Sequence, residues 1–438
     1  MTEGILSSTA IAYSPPRVAE AVGPQSGPVR PQERIQLLDV LRGFALFGIL
    51  QVNWPDWRGT LGYILTFLVD DKMRTIYSFL FGLGFAIQLI RAQDRGRPFA
   101  LRYAWRSLLL LAIGSIHFAF IWNGDIVREY AMMSLTLLIV ARWRPGFLLG
   151  FALFALVLGV TPRSSLPGID PATGTLTMRV DPERAGADPL LLREQGERYG
   201  FAPRAEASHG TTLRTYPMAA SGGLKSLLWE WRTLTIYQFI RGQLLALFLL
   251  GLWVGRKRIL HEPDRHIRLL KWTLAIGLPL GLFANVFNTF GSWISEHKVP
   301  VLSRIPTDGI MGGVFYDVGN LFLALAYIAG ISLIVVRAGR LRSWLAAVLA
   351  PVGRMGLTNY LMQSVIMMFL LYGPGLNLAS ALPTWWRQGV LELVFVVQVV
   401  YSRWWFARFQ YGPVEWAWRS LTWFKLQPMR AKAVHATG

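Results

Sequence analysis

Residues 34–53 read Arg34-Ile-Gln-Leu-Leu-Asp39-Val-Leu-Arg42-Gly43-Phe-Ala-Leu-Phe-Gly48-Ile-Leu-Gln-Val-Asn53. Apolar side chains occupy every face of this stretch, with Asp39 and Arg42 as its charged interruptions. A helix that is apolar all round belongs in a core or a bilayer, not on a wet surface. At ~1.5 Å per residue it covers most of a ~30 Å hydrocarbon layer. Residues 1–34 before it are rich in Pro, Gly, Ser and Ala, and they lack the apolar core of a signal peptide. They read as a disordered cytoplasmic tail.

The same pattern recurs along the chain, with apolar runs at about 36–53, 75–90, 107–121, 126–141, 146–160, 234–254, 270–290, 313–336, 357–373 and 389–406. The run 107–121 is the shortest and needs buried ends or a thinned bilayer. The stretch 60–69 is too short to span and reads as interfacial or re-entrant. Composition agrees: 53% of residues are apolar and 16% charged, where a soluble domain carries about a quarter charged residues. The expected fold is all-α, a polytopic integral membrane helix bundle of about ten transmembrane helices. It divides into an N-terminal bundle at 35–160, an extracytoplasmic loop or cap at 161–232, a C-terminal bundle at 233–425 and a cytoplasmic tail at 426–438.

Charge sets the orientation. Arg91, Arg95, Arg97, Arg102 and Arg106 precede the third run, and further clusters lie at 142–144, 256–271, 337–354 and from Arg403 onward. Intervening loops hold fewer basic residues: Arg58, Lys72, Arg74, Arg128, Lys298, Arg304 and Arg387. The positive-inside rule then places both termini in the cytoplasm, in a bacterial inner membrane. This distribution also accounts for the net charge of +19 without nucleic acid as a partner. The chain has no cysteine, which excludes disulfides, thiolate metal sites and a cysteine nucleophile. No histidine pair shows metal-ligand spacing, so no metal is expected.

An ionisable residue inside a span costs on the order of 2.5–3.5 kcal/mol on insertion scales and therefore needs a reason. Asp39 and Arg42 are three apart on one helix face, within pairing distance. Either they anchor the bundle as an ion pair or they contact a ligand. Gly43 and Gly48 allow a neighbouring backbone to come close. The second constellation is His117-Phe-Ala-Phe-Ile-Trp122-Asn123-Gly124-Asp125. A neutral imidazole within a bundle can act as a base, and Asp125 can orient it. Packing through a hydrogen bond is the bland alternative for His117, and an N-cap is the bland alternative for Asp125. Asn285, Asn288, Asp317, Asn320, Gln363, Glu392 and Gln398 either line a cavity or bond helix to helix.

Several stretches carry a resemblance: Leu38-Asp39-Val40-Leu41-Arg42-Gly43, Ser78-Phe79-Leu80-Phe81-Gly82-Leu83-Gly84-Phe85, Gly114-x-x-His117 and Trp122-x-Gly124-Asp125-Ile126. The most specific are Gly353-Arg354-Met355-x-Leu357-Thr358-Asn359-Tyr360 and Tyr411-Gly412-Pro413-Val414-Glu415-Trp416-x-Trp418-Arg419. From about residue 34 to 425 the chain resembles the YeiB-like bacterial membrane proteins, catalogued as domain of unknown function 418.

That family's first-helix pattern is similar to that of the transmembrane acyltransferases, which include a lysosomal heparan glucosamine acetyltransferase and bacterial polysaccharide O-acyltransferases. The resemblance implies acyl-CoA (acetyl-CoA) as a cytoplasmic donor and a small-molecule or glycan hydroxyl or amine as acceptor. It implies His117 as the base, with Asp125 beside it. The residues suit such chemistry, because thioester acyl transfer needs a base and donors for the developing oxyanion. Asn53 or the Trp122 indole would donate, and Arg42, near the cytoplasmic mouth, would meet a CoA phosphate, so Asp39, Arg42, Asn53 and Trp122 are the cofactor-binding candidates. The alternative is a small-molecule transporter using the same polar groups. Homo-oligomerisation is left open.

Overall fold

A computed structural model describes residues 35–53, 59–122, 125–159, 167–169, 176–178, 242–306, 309–337, 339–371, 375–376, 378 and 382–430. The expected tail at 1–34, nearly all of the 161–232 loop and the extreme C-terminus lie outside them. The architecture among the described residues is all-α, with thirteen α-helices. A short antiparallel pair joins Pro167–Ile169 to Leu176–Met178.

Each expected apolar run has a helix. These are α1 (Gln36–Asn53), α3 (Lys72–Asp94), α4 (Ala100–Phe120), α5 (Val127–Val140), α6 (Pro145–Gly159), α7 (Gln243–Arg256), α8 (Ile267–Glu296), α9 (Gly309–Val336), α11 (Gly356–Leu371) and α12 (Thr384–Phe406). The short stretch near residue 60 forms α2 (Gly59–Leu68), which ends just before α3 begins. Among the described residues, five helical stretches are long and apolar enough to cross a membrane: Gly62–Asp94, Ala100–Phe120, Pro263–Gly291, Ile310–Val336 and Trp385–Phe406.

Helix α4 is longer than its apolar run. It starts at Ala100 and spans 21 residues, or ~31 Å, so no thinned bilayer is needed. The added turns carry arginines whose guanidinium groups lie on aromatic rings, with Arg102 4.2 Å from the Trp423 centroid and Arg106 3.9 Å from that of Trp418. Those rings belong to the last helix, α13 (Pro413–Trp423). Long basic side chains at a helix end behave in this way, keeping apolar stems inside and charge at the interface.

The basic stretch near 337–354, read as a cytoplasmic charge cluster, contains a further helix, α10 (Arg340–Arg354). Its first half is exposed, while Leu349, Ala350, Val352 and Gly353 are buried against α1. The two backbones touch. A Cβ on Gly43 would fall inside the Leu349 carbonyl, and one on Gly353 inside that of Asp39. In a membrane, where lipid is as apolar as leucine, such close approach supplies the packing energy that the hydrophobic effect cannot. Early and late helices interleave throughout: α3 packs on α7, α6 on α7, the long α8–α9 hairpin on α3, and α13 on α4.

Candidate functional site

Gly114 and His117 sit one turn apart near the end of α4, facing the start of α5. A side chain at Gly114 would strike the Arg128 backbone and the Asp125 carboxylate, its Cβ lying 2.9 Å from Asp125 Oδ1. The glycine thus admits the α5 terminus close to α4. His117 Nδ1 lies 2.7 Å from Asp125 Oδ2, and the two residues are 1% and 3% exposed. Asp125 Oδ1 accepts the Arg128 backbone N–H at 2.8 Å. Asp125 thus bonds both the His117 ring and the backbone of the first turn of α5, because a carboxylate has two oxygens to give.

A carboxylate only accepts, so the proton of this pair belongs on Nδ1 and the lone pair on Nε2. Nε2 is buried and has no hydrogen-bond partner among the described residues. Buried nitrogen without a partner is rare enough to require an explanation. The surroundings are aromatic and tightly tied. The backbone N–H of Trp122 donates to the His117 carbonyl at 2.8 Å, and the Trp122 indole nitrogen is buried. The Arg128 guanidinium, counted above among outer-loop charges, is instead buried and lies 4.1 Å from the Phe118 centroid.

Tyr360, which sequence reasoning treated only as part of a family motif, belongs to this site. Its ring centroid lies 5.4 Å from that of His117, and its hydroxyl accepts the N–H of Ile126 at 3.2 Å. The signal available was its place at the end of Leu357-Thr358-Asn359-Tyr360, one of the more specific motifs. Nothing local links that motif to a histidine far upstream.

The other expected site residues are elsewhere. Arg42 Nη1 pairs with Asp39 Oδ1 at 3.1 Å, with Asp39 buried and the Arg42 side chain 31% exposed. The Asp39–Arg42 pair is made within α1, whereas the side chains of His117 and Asp125 bond one another and the start of α5. Asn53 ends α1 half-buried, beside 54–58, which lie outside the described residues.

Of the remaining polar residues, several bond helix to helix. Gln363 Nε2 donates to Gln398 Oε1 at 2.9 Å, Gln398 Nε2 to the Asn359 carbonyl at 3.0 Å, and Gln243 Nε2 to Asp317 Oδ1 at 2.6 Å. The C-terminal motif is also architectural. Glu415 Oε1 accepts the backbone N–H groups of Leu357 and Thr358, at 2.7 and 3.0 Å, and so caps α11 from α13. Burial pushes the Glu415 carboxyl above the usual carboxylate range, and the hydrogen bonds from Thr358 and Leu357 oppose that rise.

Comparison with known proteins places this architecture. Residues 254–425 match the family described as Protein of unknown function (DUF418). The uncharacterized protein YxaH of Bacillus subtilis (strain 168) is 30% identical over 430 residues, covering 92% of this chain and 98% of the relative. The chain belongs to the YeiB-like DUF418 family. A second member, the uncharacterized protein YeiB of Escherichia coli (strain K12), is 27% identical over 428 residues, 89% of this chain and 96% of its own length. Within this DUF418 protein, Tyr360 and Glu415 fall in the matched residues, and the His117–Asp125 pair precedes them.

Proposed function

We propose that this DUF418 protein is a membrane-embedded acyltransferase. In this reading it moves an acyl group, acetyl in the simplest case, from cytoplasmic acyl-CoA to a hydroxyl or amine at the membrane or beyond it. The observation that supports it is the buried His117, held by Asp125 at Nδ1 and with no partner for Nε2 among the described residues. His117 Nε2 takes the proton of the acceptor as its oxygen or nitrogen attacks the acyl carbonyl. The same nitrogen returns that proton to sulfur as the carbon–sulfur bond breaks. Asp125 keeps the ring in the required tautomer and stabilises the imidazolium between the two transfers. Trp122 or Asn53 supplies an N–H to the developing oxyanion, and Arg42 meets phosphate at the cytoplasmic mouth.

The topology that serves this reaction has about ten spans with both termini in the cytoplasm of a bacterial inner membrane. Three shorter apolar helices, Pro145–Gly159, Gln243–Arg256 and Gly356–Leu371, join the five long stretches, and α1 and α5 complete the set.

The test uses the purified full chain in nanodiscs with radiolabelled acetyl-CoA, scored for bound label and for acetyl transferred to glycan and amine acceptors. Saturable binding and transfer support the reading. No binding at micromolar to millimolar acetyl-CoA would sink it and leave a transporter in its place.

A further inference from the structure

Two neighbouring rings of the histidine site each keep one hydrogen-bonding capacity for which the described residues offer no partner. His117 Nε2 presents a lone pair and meets no donor among them. Tyr360, 4% exposed, takes the Ile126 N–H on its hydroxyl oxygen at 3.2 Å, and among the described residues no acceptor meets the hydroxyl proton. A buried tyrosine hydroxyl ordinarily finds a partner for that proton. Tyr130, equally buried, gives its own to the Arg74 carbonyl at 3.0 Å. Tyr360 departs from this pattern, and it does so beside a histidine.

The two capacities are opposite in kind and close in space. The ring centroids of His117 and Tyr360 are 5.4 Å apart, and Ile126, which ties the hydroxyl, follows Asp125, which ties the imidazole. Two hydrogen bonds of ~2.8 Å that meet at one oxygen join groups roughly 5 Å apart, the scale on which these rings are set. A group that suits both must give a proton to Nε2 and accept one from Tyr360. An aliphatic amine is protonated at neutral pH, with a pKa of about 10.4 in lysine, and the ammonium has no lone pair. The neutral amine has one, which it needs for attack on the acyl carbon. A hydroxyl has two, so one accepts from Tyr360 while the other attacks. Charge agrees with this count. Asp125, the carboxylate of the site, already engages Oδ2 with His117 and Oδ1 with the Arg128 N–H, and burying an ammonium without a counter-charge of its own is costly.

We propose that His117 and Tyr360 together bind the acceptor as a neutral aliphatic hydroxyl and reject amines; the chemistry that follows rests on the acyltransfer reading. Tyr360 donates to the acceptor oxygen and orients it. As that oxygen bonds to the acyl carbon, its proton passes to His117 Nε2. The carbon–sulfur bond then breaks and the proton passes from Nε2 to sulfur, giving an ester and a free thiol. The Tyr360 proton stays on its own oxygen throughout. A sugar and a glycerolipid offer the same hydroxyl chemistry.

The test takes the purified full chain in nanodiscs, with radiolabelled hexyl glucoside, dioctanoylglycerol and hexylamine as probes. Each is scored for binding alone and then for acetylation by acetyl-CoA. A hydroxyl probe should bind and be acetylated, and hexylamine at matched concentration should do neither. Whichever hydroxyl probe responds separates sugar from lipid. Tyr360→Phe removes only the hydroxyl and should raise KM for that probe about tenfold, the worth of one hydrogen bond, with acetyl-CoA binding unchanged. If this variant does not fold, the comparison of probes on wild type decides the matter. Hexylamine acetylated at a comparable rate overturns the proposal and leaves the acyltransfer reading standing, and so does an unmoved KM in folded Tyr360→Phe. Hydroxyl binding that Tyr360→Phe weakens, with no acetyl transferred by wild type, supports hydroxyl recognition and defeats the acyltransfer reading. Failure of both hydroxyl probes to bind wild type overturns the proposal.

Discussion

Thr358 and Glu415 meet twice across two helices: the Thr358 hydroxyl donates to Glu415 Oε2 at 2.6 Å, and its backbone N–H donates to Oε1 at 3.0 Å. The first turn of α11, which leads to Tyr360, is thus held by a carboxylate near the chain's end. Glu415 lies outside the spanning helices, and burial raises its pKa. A raised carboxyl binds its proton more tightly in the folded than in the unfolded state. Stability therefore falls as pH climbs from the ordinary glutamate range, ~4.3, toward the raised value. Thermal midpoints measured across that interval should decline for wild type and stay flatter for Glu415→Gln. Glu415→Ala should lower folded yield in detergent more than specific activity, and full yield with lost activity would refute the architectural role of Glu415.

His117→Gln keeps roughly the size of the side chain but cannot carry the proton. Acetyl transfer should fall by about 10²–10⁴-fold with acetyl-CoA binding largely retained. Equal loss of binding and transfer would point to a packing role instead.

Asp125 offers a way to separate its two tasks. Asp125→Asn can still accept the Arg128 N–H through Oδ1 but presents an N–H to His117 Nδ1, favouring the wrong tautomer. Folded yield should hold while transfer drops by about 10²-fold or more. Asp125→Ala loses the cap as well, which costs about 1 kcal/mol of stability. Denaturation midpoints of the two variants should differ accordingly, and matching midpoints would show that the cap contributes nothing.

Gly353→Val should prevent α10 from seating on α1, because any Cβ there falls inside the Asp39 carbonyl. Overpacking of this kind costs about 1–3 kcal/mol, and more where backbone must move. Gly146→Ala is the control, since nothing lies within 4 Å of its would-be Cβ. Fluorescence-detected size exclusion after a heat step should separate the two, with only Gly353→Val losing its monodisperse peak.

Topology is open to reporter fusion. A fusion at Gly200 should report the extracytoplasmic side, and one after Lys425 the cytoplasm. Both on the same side would overturn the proposed orientation.

The helices at 36–53 and 309–336 were legible from the sequence because a long apolar run is a local property. The ladder of Gly114, His117 and Asp125 was half-legible, since Asn-Gly between two apolar runs is a turn signal in the sequence. Tertiary structure decided the rest. The Arg340–Arg354 segment read as a charged loop because its apolar face spans only a few positions, and its burial depends on Gly43 and Gly353, far apart in sequence. Tyr360 joins His117, and Trp418 joins Arg106, through contacts between distant helices. Hydrophobic run length determines which segments are helices that leave water. It does not determine which small residues let two of them touch, and that contact is what places an arginine or a tyrosine beside its partner.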